Sequence, residues 1–369
     1  MARPQQLAQI FQMILTLLSL VVACTAGIDH DDDDLALILK TQRTALTSFF
    51  TATNGPQWSD LCTNGWTWDN QTTCEWFGIT CTNNLVTSIN LANCGLSGTL
   101  PSELGQVTSL QDLDVSSNAI SGTIPDNGLL NLTNLQLVYL YSNNFSGTLP
   151  VGWSTMSSLT DVRLFNNSFT GTLPTSWSML SYLSTLWLSG NRLSGTLPDA
   201  YSALTQLSLF DVGQNGNIVG TLPSSWSSIT NLGTVGLQGN QFVGTLPGSW
   251  GNLSSLSSLQ VDGNHLTGSL PNQWGAQMSN LWQFTASINN LTGTLPESWS
   301  QLLFLGSFNV SHNQLSGNLP STWPAAMNSS MIADALDIRW NCINITIANV
   351  TDGYFWANQW IAPQRQGQC

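Results

Sequence analysis

The stretch GTLPTSWSMLSYLSTLWLSGN, residues 171–191, contains the pattern that decides the fold. Its first four residues return in related form along the chain, each copy ending at a proline: Pro101, Pro125, Pro150, Pro174, Pro198, Pro223, Pro247, Pro271, Pro296 and Pro320. Consecutive prolines are 24 or 25 residues apart. A unit of this length cannot bury its apolar face alone, so the repeat predicts one stacked solenoid with covered ends.

Each copy contains a short strand followed by an asparagine. In LWLSGN, residues 186–191, the alternation predicts a strand whose Leu186 and Leu188 face inward. The amide of Asn191 has a donor and an acceptor, so stacked copies can satisfy the backbone groups where each coil leaves its strand. The glycine of each copy permits a bend, and the proline needs no hydrogen-bond partner for its nitrogen. Cys94 takes the asparagine position in the first copy.

A column of large side chains stands three residues after most of the prolines. Its members are Leu104, Trp153, Trp177, Tyr201, Trp226, Trp250, Trp274, Trp299 and Trp323. A row of tryptophans is also compatible with a carbohydrate-binding ladder. Because the position is fixed in every copy and is followed by leucines at helical spacing, the pattern favours the convex wall of the core.

These phrases resemble known repeat proteins. LSGTLP is similar to the plant-type leucine-rich repeat of receptor kinases and polygalacturonase inhibitors, and the fuller phrase of residues 171–191 looks more like the promastigote surface antigens of kinetoplastid parasites. Residues 52–58 (ATNGPQW) and 74–81 (CEWFGITC) resemble the N-terminal cap of such proteins. The resemblance covers about residues 35–341. It implies an α/β solenoid, a leucine-rich-repeat horseshoe with a parallel β-sheet on the concave face, and a disulfide between Cys74 and Cys81.

The resulting organisation has four parts. We expect a signal peptide at 1–26, an acidic tail, helix and cap at 27–88, the repeats at 89–341 and a C-terminal cap at 342–369. The apolar run from Ile10 to Ala23, followed by small residues, is typical of a secretory signal. No later stretch has the length of a membrane span, so we expect a secreted or cell-surface-associated protein. The helix of the second part should begin near Leu35 and end before Asn54, with one apolar face: Leu35, Ile38, Leu39, Leu46, Phe49 and Phe50.

Secretion gives meaning to the sequons and the cysteines. Triplets of the N-x-S/T type mark glycosylation sites at Asn70, Asn131, Asn144, Asn166, Asn252, Asn290, Asn309, Asn328, Asn344 and Asn349. Cys342 and Cys369 are expected to close the C-terminal cap. The remaining pair leaves two alternatives: a disulfide between Cys62 and Cys94, which we prefer, or a buried thiol at Cys94 with Cys62 alone.

Charge and composition argue against nucleic-acid binding and against catalysis. Seven basic residues against 20 acidic ones give a net charge of −13, so no basic surface can neutralise phosphates. Three histidines and one lysine leave few groups for acid–base or nucleophilic chemistry. Asp112 and Asp114 point the same way, but no acid, base and pocket converge on them. We therefore predict a non-enzyme with no cofactor and no metal.

The outward positions of the strands form columns across the concave sheet. Only one region of these columns departs from small polar residues: Tyr139, Tyr141, Phe165 and Trp187 cluster around Arg163, with Asp211 on the next strand. These six residues are named the concave patch. Tyr, Trp and Arg are enriched at interface hot spots. The patch predicts a recognition or adhesion protein that binds a partner protein, and the resemblance to the surface antigens implies a host-cell receptor as that partner. A glycan-binding module and an inhibitor of a secreted hydrolase are the alternatives.

Overall fold

The computed structural model describes residues 34–67, 72–126, 128–323 and 336–344. The predicted signal peptide, Asn70, Asn328, Asn349 and Cys369 lie outside these residues, as does most of the predicted C-terminal cap.

Short strands and single helical turns alternate along the described residues. The α-helices are α1 (residues 34–52) and α2 (Gln273–Gln277), and 3-10 turns occupy Gly55–Gln57, Thr73–Glu75, Ser102–Gln106, Val151–Thr155, Thr175–Met179, Asp199–Ala203, Ser224–Ser228, Gly248–Asn252 and Glu297–Gln301. The strands are β1 Ile79–Thr82, β2 Leu85–Asn90, β3 Ser97–Thr99, β4 Asp112–Asp114, β5 Ala119–Gly122, β6 Leu137–Tyr139, β7 Asn144–Thr148, β8 Asp161–Arg163, β9 Ser168–Thr170, β10 Thr185–Trp187, β11 Ser194–Gly195, β12 Leu209–Asp211, β13 Asn217–Gly220, β14 Thr234–Gly236, β15 Gln241–Thr245, β16 Ser258–Gln260, β17 His265–Thr267, β18 Gln283–Thr285, β19 Ser307–Asn309, β20 Ser316–Asn318, β21 Leu336–Asp337 and β22 Cys342–Asn344.

One sheet runs the length of the array, in the order β1-β2-β4-β6-β8-β10-β12-β14-β16-β18-β19-β21. From β2 onward every neighbouring pair is parallel, whereas β1 pairs with β2 as an antiparallel hairpin. Each central strand buries its middle residue, as in β10, where Leu186 is buried between half-buried Thr185 and Trp187. The predicted parallel sheet on one face of a solenoid is confirmed.

The tryptophan column forms the opposite wall of the core, as predicted. Trp250 is fully buried, and its indole N–H donates to the carbonyl of Pro223 in the preceding repeat at 2.8 Å. The same bond recurs along the column, with the hydroxyl of Tyr201 in place of an indole: Trp177, Tyr201, Trp226, Trp274, Trp299 and Trp323. Rings buried in this way have no face available for a sugar, so the column is not a carbohydrate ladder.

The asparagines bond each repeat to the one before it. Asn191 accepts the N–H of Phe169 at 3.0 Å and donates to the carbonyls of Leu164 and Leu188 at 3.0 Å each. Oδ1 accepts a backbone N–H of the preceding copy at the equivalent residues too: Asn118, Asn143, Asn167, Asn215, Asn264, Asn289, Asn313 and Asn341. The predicted role of the asparagine in satisfying open backbone groups is confirmed.

The glycine of the GTLP phrase lies in a second set of short parallel strands, a feature that the sequence analysis missed. These strands form the sheets β3-β5-β7-β9 and β11-β13-β15-β17. Gly195 has a φ of +79°, and a Cβ there would lie 2.7 Å from Cγ2 of Thr172 in the preceding copy. Backbone geometry and the neighbouring threonine therefore both require glycine at this position.

The N-terminal end of the array is covered by α1 and two disulfides. Leu46 and Phe49 of α1 are fully buried, but Leu35 and Ile38 are exposed, so the predicted apolar face is wrong for the first turn of the helix. Disulfides join Cys74 to Cys81 and Cys62 to Cys94. Cys94 stands at the asparagine position of the first copy, where no earlier repeat presents backbone groups for an amide to satisfy. Its sulfur instead ties the first coil to the cap.

Candidate functional site

The register of the sheet places the concave patch on four neighbouring strands. Tyr139 on β6 pairs with Arg163 on β8, Arg163 pairs with Trp187 on β10, and Trp187 pairs with Asp211 on β12. All four are half-buried, and the residues between them, such as Leu186, are buried. The columns inferred from the repeat are therefore those of the structure, and the patch is continuous.

Three rings of the patch form one stacked row across the strands. The ring centroids of Tyr141 and Phe165 are 4.4 Å apart with planes at 7°, and those of Phe165 and Trp187 are 4.4 Å apart at 30°. The indole N–H of Trp187 donates to Oγ of Ser189 at 2.6 Å, which orients the ring. Stacked, half-buried rings lose little conformational freedom on binding, so the row is pre-organised for contact with a ligand.

Arg163 is held by a carboxylate that the sequence analysis missed. Its Nε and a terminal nitrogen donate to the two oxygens of Asp161 at 3.0 and 2.7 Å, and its guanidinium lies 4.7 Å from the ring centroid of Tyr139. The hydroxyl of Tyr139 donates to Asp161 at 3.0 Å. Asp161 stands two residues before Arg163 on one strand, a spacing that puts both side chains on one face, and this was the available signal.

Electrostatic effects at this group favour a neutral phenol beside a paired guanidinium. Burial, and then the hydrogen bond to Asp161, raise the pKa of Tyr139 to about 12. The bond to Asp161 is also the main cause that raises the pKa of Arg163. Because both oxygens of Asp161 accept hydrogen bonds from Arg163, the charge of the guanidinium is balanced within the patch. This end of the row therefore presents aromatic surface and a closed ion pair instead of an unpaired cation.

Asp211 lies at the other edge of the patch, beside positions that have no side chain. Its Oδ1 accepts the N–H of Gly213 at 2.7 Å, and its carboxyl group lies over Gly236, where a Cβ would come within 2.6 Å of it. Burial raises the pKa of Asp211, an effect that the bond from Gly213 only partly offsets. No cation pairs with this carboxylate among the described residues, so it is open to a donor from outside.

Two polar clusters farther along the concave sheet are closed by bonds within each cluster. Asp262 accepts the hydroxyl of Thr285 and both the N–H and the hydroxyl of Ser287. Arg339 donates to both oxygens of Asp337 at 2.9 and 2.7 Å. These clusters serve as internal hydrogen-bond networks. In the part of the chain that the structure describes, the concave patch is the largest group of aromatic side chains on this sheet.

The sequons divide by exposure. Asn131, Asn144, Asn166, Asn252 and Asn290 are exposed, whereas Asn309 is half-buried on the concave sheet and accepts from Ser311. Of the cap cysteines, Cys342 is disulfide-bonded, and its expected partner lies outside the described residues. Glycosylation stays a prediction.

Comparison with known proteins supports the repeat class. The Leucine Rich Repeat family model matches residues 85–107, 109–129 and 182–204. A receptor-like serine/threonine-protein kinase of Arabidopsis thaliana, GSO2, is 31% identical over 119 residues, which are 32% of this chain and 9% of that protein.

Two solved structures show the same architecture. The ectodomain of the Arabidopsis thaliana receptor kinase GASSHO1/SCHENGEN3, in complex with CASPARIAN STRIP INTEGRITY FACTOR 2, has a TM-score of 0.75 and 29% identity over 82% of this chain and 36% of that one. The plant peptide hormone receptor RGFR1 in complex with RGF2 has a TM-score of 0.63 and 29% identity over 68% of this chain and 42% of that one. The chain thus spans less than half of each, and its fold is a leucine-rich-repeat solenoid.

These comparisons correct the expected relation to kinetoplastid surface antigens. The relatives named above are plant receptors, and none of them is a kinetoplastid surface antigen. The physical reason is that the phrase on which we relied is set by the fold. Its glycine satisfies a positive φ, its tryptophan donates to a proline carbonyl and its asparagine bonds the preceding coil, so the packing of the coil accounts for each of these residues. The phrase therefore identifies the coil rather than a lineage.

Proposed function

We propose that this chain is an extracellular, non-catalytic recognition module that binds an extended segment of a partner protein across β6 to β12, through the concave patch. The observation that carries the proposal is the stacked row of Tyr141, Phe165 and Trp187, which is half-buried on an otherwise small and polar sheet. The relatives lend support, because the two solved ectodomains named above are in complex with ligands named as a factor and a hormone. No helix in the described part of the chain is long and apolar enough to cross a membrane.

The geometry suits a flat, extended ligand. Neighbouring strands are about 4.8 Å apart, so the concave patch from β6 to β12 spans roughly 14 Å, the length of about four extended residues. Buried leucines beneath the row fix the ring positions, as Leu186 and Leu188 do on either side of Trp187. Ligand contact with these rings therefore requires no rearrangement of the core.

The test uses two variants of the chain. A peptide display library is panned against the unmodified chain, and the selected peptides are then measured against Trp187→Ala and, as the control from the same face, Ser287→Ala. We expect Trp187→Ala to weaken binding by more than about 30-fold, which corresponds to a hot-spot loss of ~2 kcal/mol. Ser287→Ala, at matched thermal stability, should retain binding.

Two outcomes count against the proposal. Equal binding by the two variants removes the patch from the interface. Selective capture of glycans by the unmodified chain on a glycan array, with loss in Trp187→Ala, assigns the same rings to sugar stacking.

A further inference from the structure

Carboxylates outnumber cations on the concave sheet around the patch. Between β4 and β16 the outward columns carry these acidic residues: Asp112, Asp114, Asp161, Asp211 and Asp262. The cation on the same columns is Arg163, which is bound to both oxygens of Asp161. Within the described residues, the other carboxylates of this stretch have no cationic partner.

The unpaired carboxylates differ in how far their oxygens are occupied. Asp262 accepts three hydrogen bonds from Thr285 and Ser287. Asp114 and Asp211 each accept a single backbone N–H at Oδ1, from the residue two positions on, at 2.9 and 2.7 Å. In both, Oδ2 has no donor among the described residues, so each presents one open acceptor to the concave side.

These two open carboxylates stand at opposite ends of the aromatic row. Asp114 pairs with Tyr139 in the sheet, and Asp211 pairs with Trp187. The strands that carry them are separated by four spacings, β4-β6-β8-β10-β12, or roughly 19 Å. Between them lie the rings and the closed pair of Arg163 with Asp161.

We propose that the partner segment is cationic, with one Lys or Arg bound at Asp114, a second bound at Asp211 and an apolar stretch between them on the rings. The inference rests on the proposed function and specifies the chemistry of its ligand. An extended chain advances about 3.3 Å per residue, so the two cationic residues are about six positions apart. The aromatic faces add attraction for cations, and an anionic segment is repelled.

The charge of the whole chain and the burial of Asp211 agree with this assignment. A net charge of −13 steers cationic partners toward the protein, and this steering weakens as salt is added. Burial raises the pKa of Asp211, because its charged form has lost hydration. A bound ammonium or guanidinium group replaces that hydration with a charge-assisted hydrogen bond.

The probes are synthetic peptides with two arginines separated by two, five or eight Ser/Leu residues, and the same peptides with glutamine in place of arginine. Binding to the full chain is measured by fluorescence anisotropy. We expect the five-residue spacing to bind best, and Asp114→Asn and Asp211→Asn each to weaken it roughly tenfold, the worth of one charge-assisted bond. Both substitutions keep the Oδ1 acceptor for the backbone N–H. Asp199→Asn, an exposed carboxylate of a 3-10 turn on the opposite side, makes the same change in net charge and should have no effect.

Three results overturn the inference: glutamine peptides that bind as tightly as arginine peptides, an Asp199→Asn loss equal to that of Asp114→Asn, or no binding by any peptide of the set. Trp187→Ala separates this failure from that of the proposed function. Suppose that Trp187→Ala abolishes the binding of arginine and glutamine peptides alike, and that Asp114→Asn and Asp211→Asn each bind the two kinds of peptide equally well. The patch is then the binding site, and the cationic assignment is wrong.

Discussion

The bond that most tryptophans of the column donate to the proline of the preceding repeat has a measurable contribution to stability, and the chain offers a matched pair to isolate it. Trp250 and Trp153 hold the same place in equivalent 3-10 turns, and both are buried. Trp250 donates to Pro223 at 2.8 Å, whereas Nε1 of Trp153 has no partner among the described residues. Replacing each with phenylalanine removes similar apolar volume but a hydrogen bond only at Trp250.

The expected difference follows from the bonds that remain. The carbonyl of Pro223 also accepts the backbone N–H of Trp226, so Trp250→Phe leaves it with one donor and no full desolvation penalty. Trp153→Phe removes an unpaired buried N–H, which is itself favourable. We therefore expect Trp250→Phe to lower the free energy of unfolding by about 1 to 2 kcal/mol more than Trp153→Phe does.

The assay is urea unfolding followed by far-UV circular dichroism, with free energies taken from the midpoints at a common m-value. Trp250→Ala serves as the upper reference, since truncating a buried tryptophan costs ~3 to 5 kcal/mol. Equal destabilisation by the two phenylalanine variants would refute the proposed contribution of the bond, and a Trp250→Ala variant as stable as the unmodified chain would refute the core role of the column.

Three further predictions concern one glycine and two carboxylates. Gly195→Ala should lower the melting temperature more than Gly216→Ala. Both glycines have φ near +78°, which costs an alanine roughly 1 to 2 kcal/mol, but only a Cβ at Gly195 would meet Thr172, whereas nothing lies within 4 Å of a Cβ at Gly216. Equal shifts in melting temperature contradict this reasoning. At pH 7, Asp211→Asn should leave the free energy of unfolding unchanged or raise it, because burial raises the pKa of Asp211 and ionisation of this carboxyl group therefore destabilises the native state. The difference in stability between the variant and the unmodified chain should vanish below about pH 3.9, the usual pKa of an aspartate. Burial raises the pKa of Asp337, but the hydrogen bonds and the positive charge of Arg339 together outweigh it and lower the pKa. Asp337→Asn should therefore lower the free energy of unfolding at pH 7, and this loss should shrink as the pH falls and the carboxylate is protonated. A shift of the same sign for the Asp211 and Asp337 variants in urea titrations at pH 7 contradicts the reasoning.

The sheet and its columns followed from the sequence because two periods are both strict. The 24- or 25-residue repeat determines which residues of successive strands are neighbours, and the alternation within LWLSGN determines which of them face outward. The sequence alone therefore predicted that Tyr139, Arg163 and Trp187 lie side by side in the sheet. The burial of Trp250 was predictable for the same reason. What the pattern could not give is the bond from an indole to a proline carbonyl of the preceding repeat, which depends on the depth at which each ring lies.

Other features depended on neighbours that a single repeat does not reveal. The exposure of Leu35 and Ile38 follows from how little of the first turn of α1 rests on the first coil. The ion pair of Asp161 with Arg163 was visible as a spacing, but its closure, which leaves the patch with no open cation, follows from the side-chain geometry. The expected relation to kinetoplastid surface antigens was wrong because the repeated phrases that suggested it reflect the packing of the coil, and the relatives named above are plant receptors.

The direction of the bonds between repeats has a consequence for how such a chain can change its length. Both the indole and the asparagine amide of a coil reach back to the coil before it, as Trp250 does to Pro223 and Asn191 does to Leu164. A duplicated coil therefore brings its own donors and its own proline carbonyl, so the donors of the next coil find acceptors of the same kind. Gene duplication can lengthen the concave sheet in steps of one strand spacing, about 4.8 Å, while the cap at Cys62 and Cys94 stays unchanged.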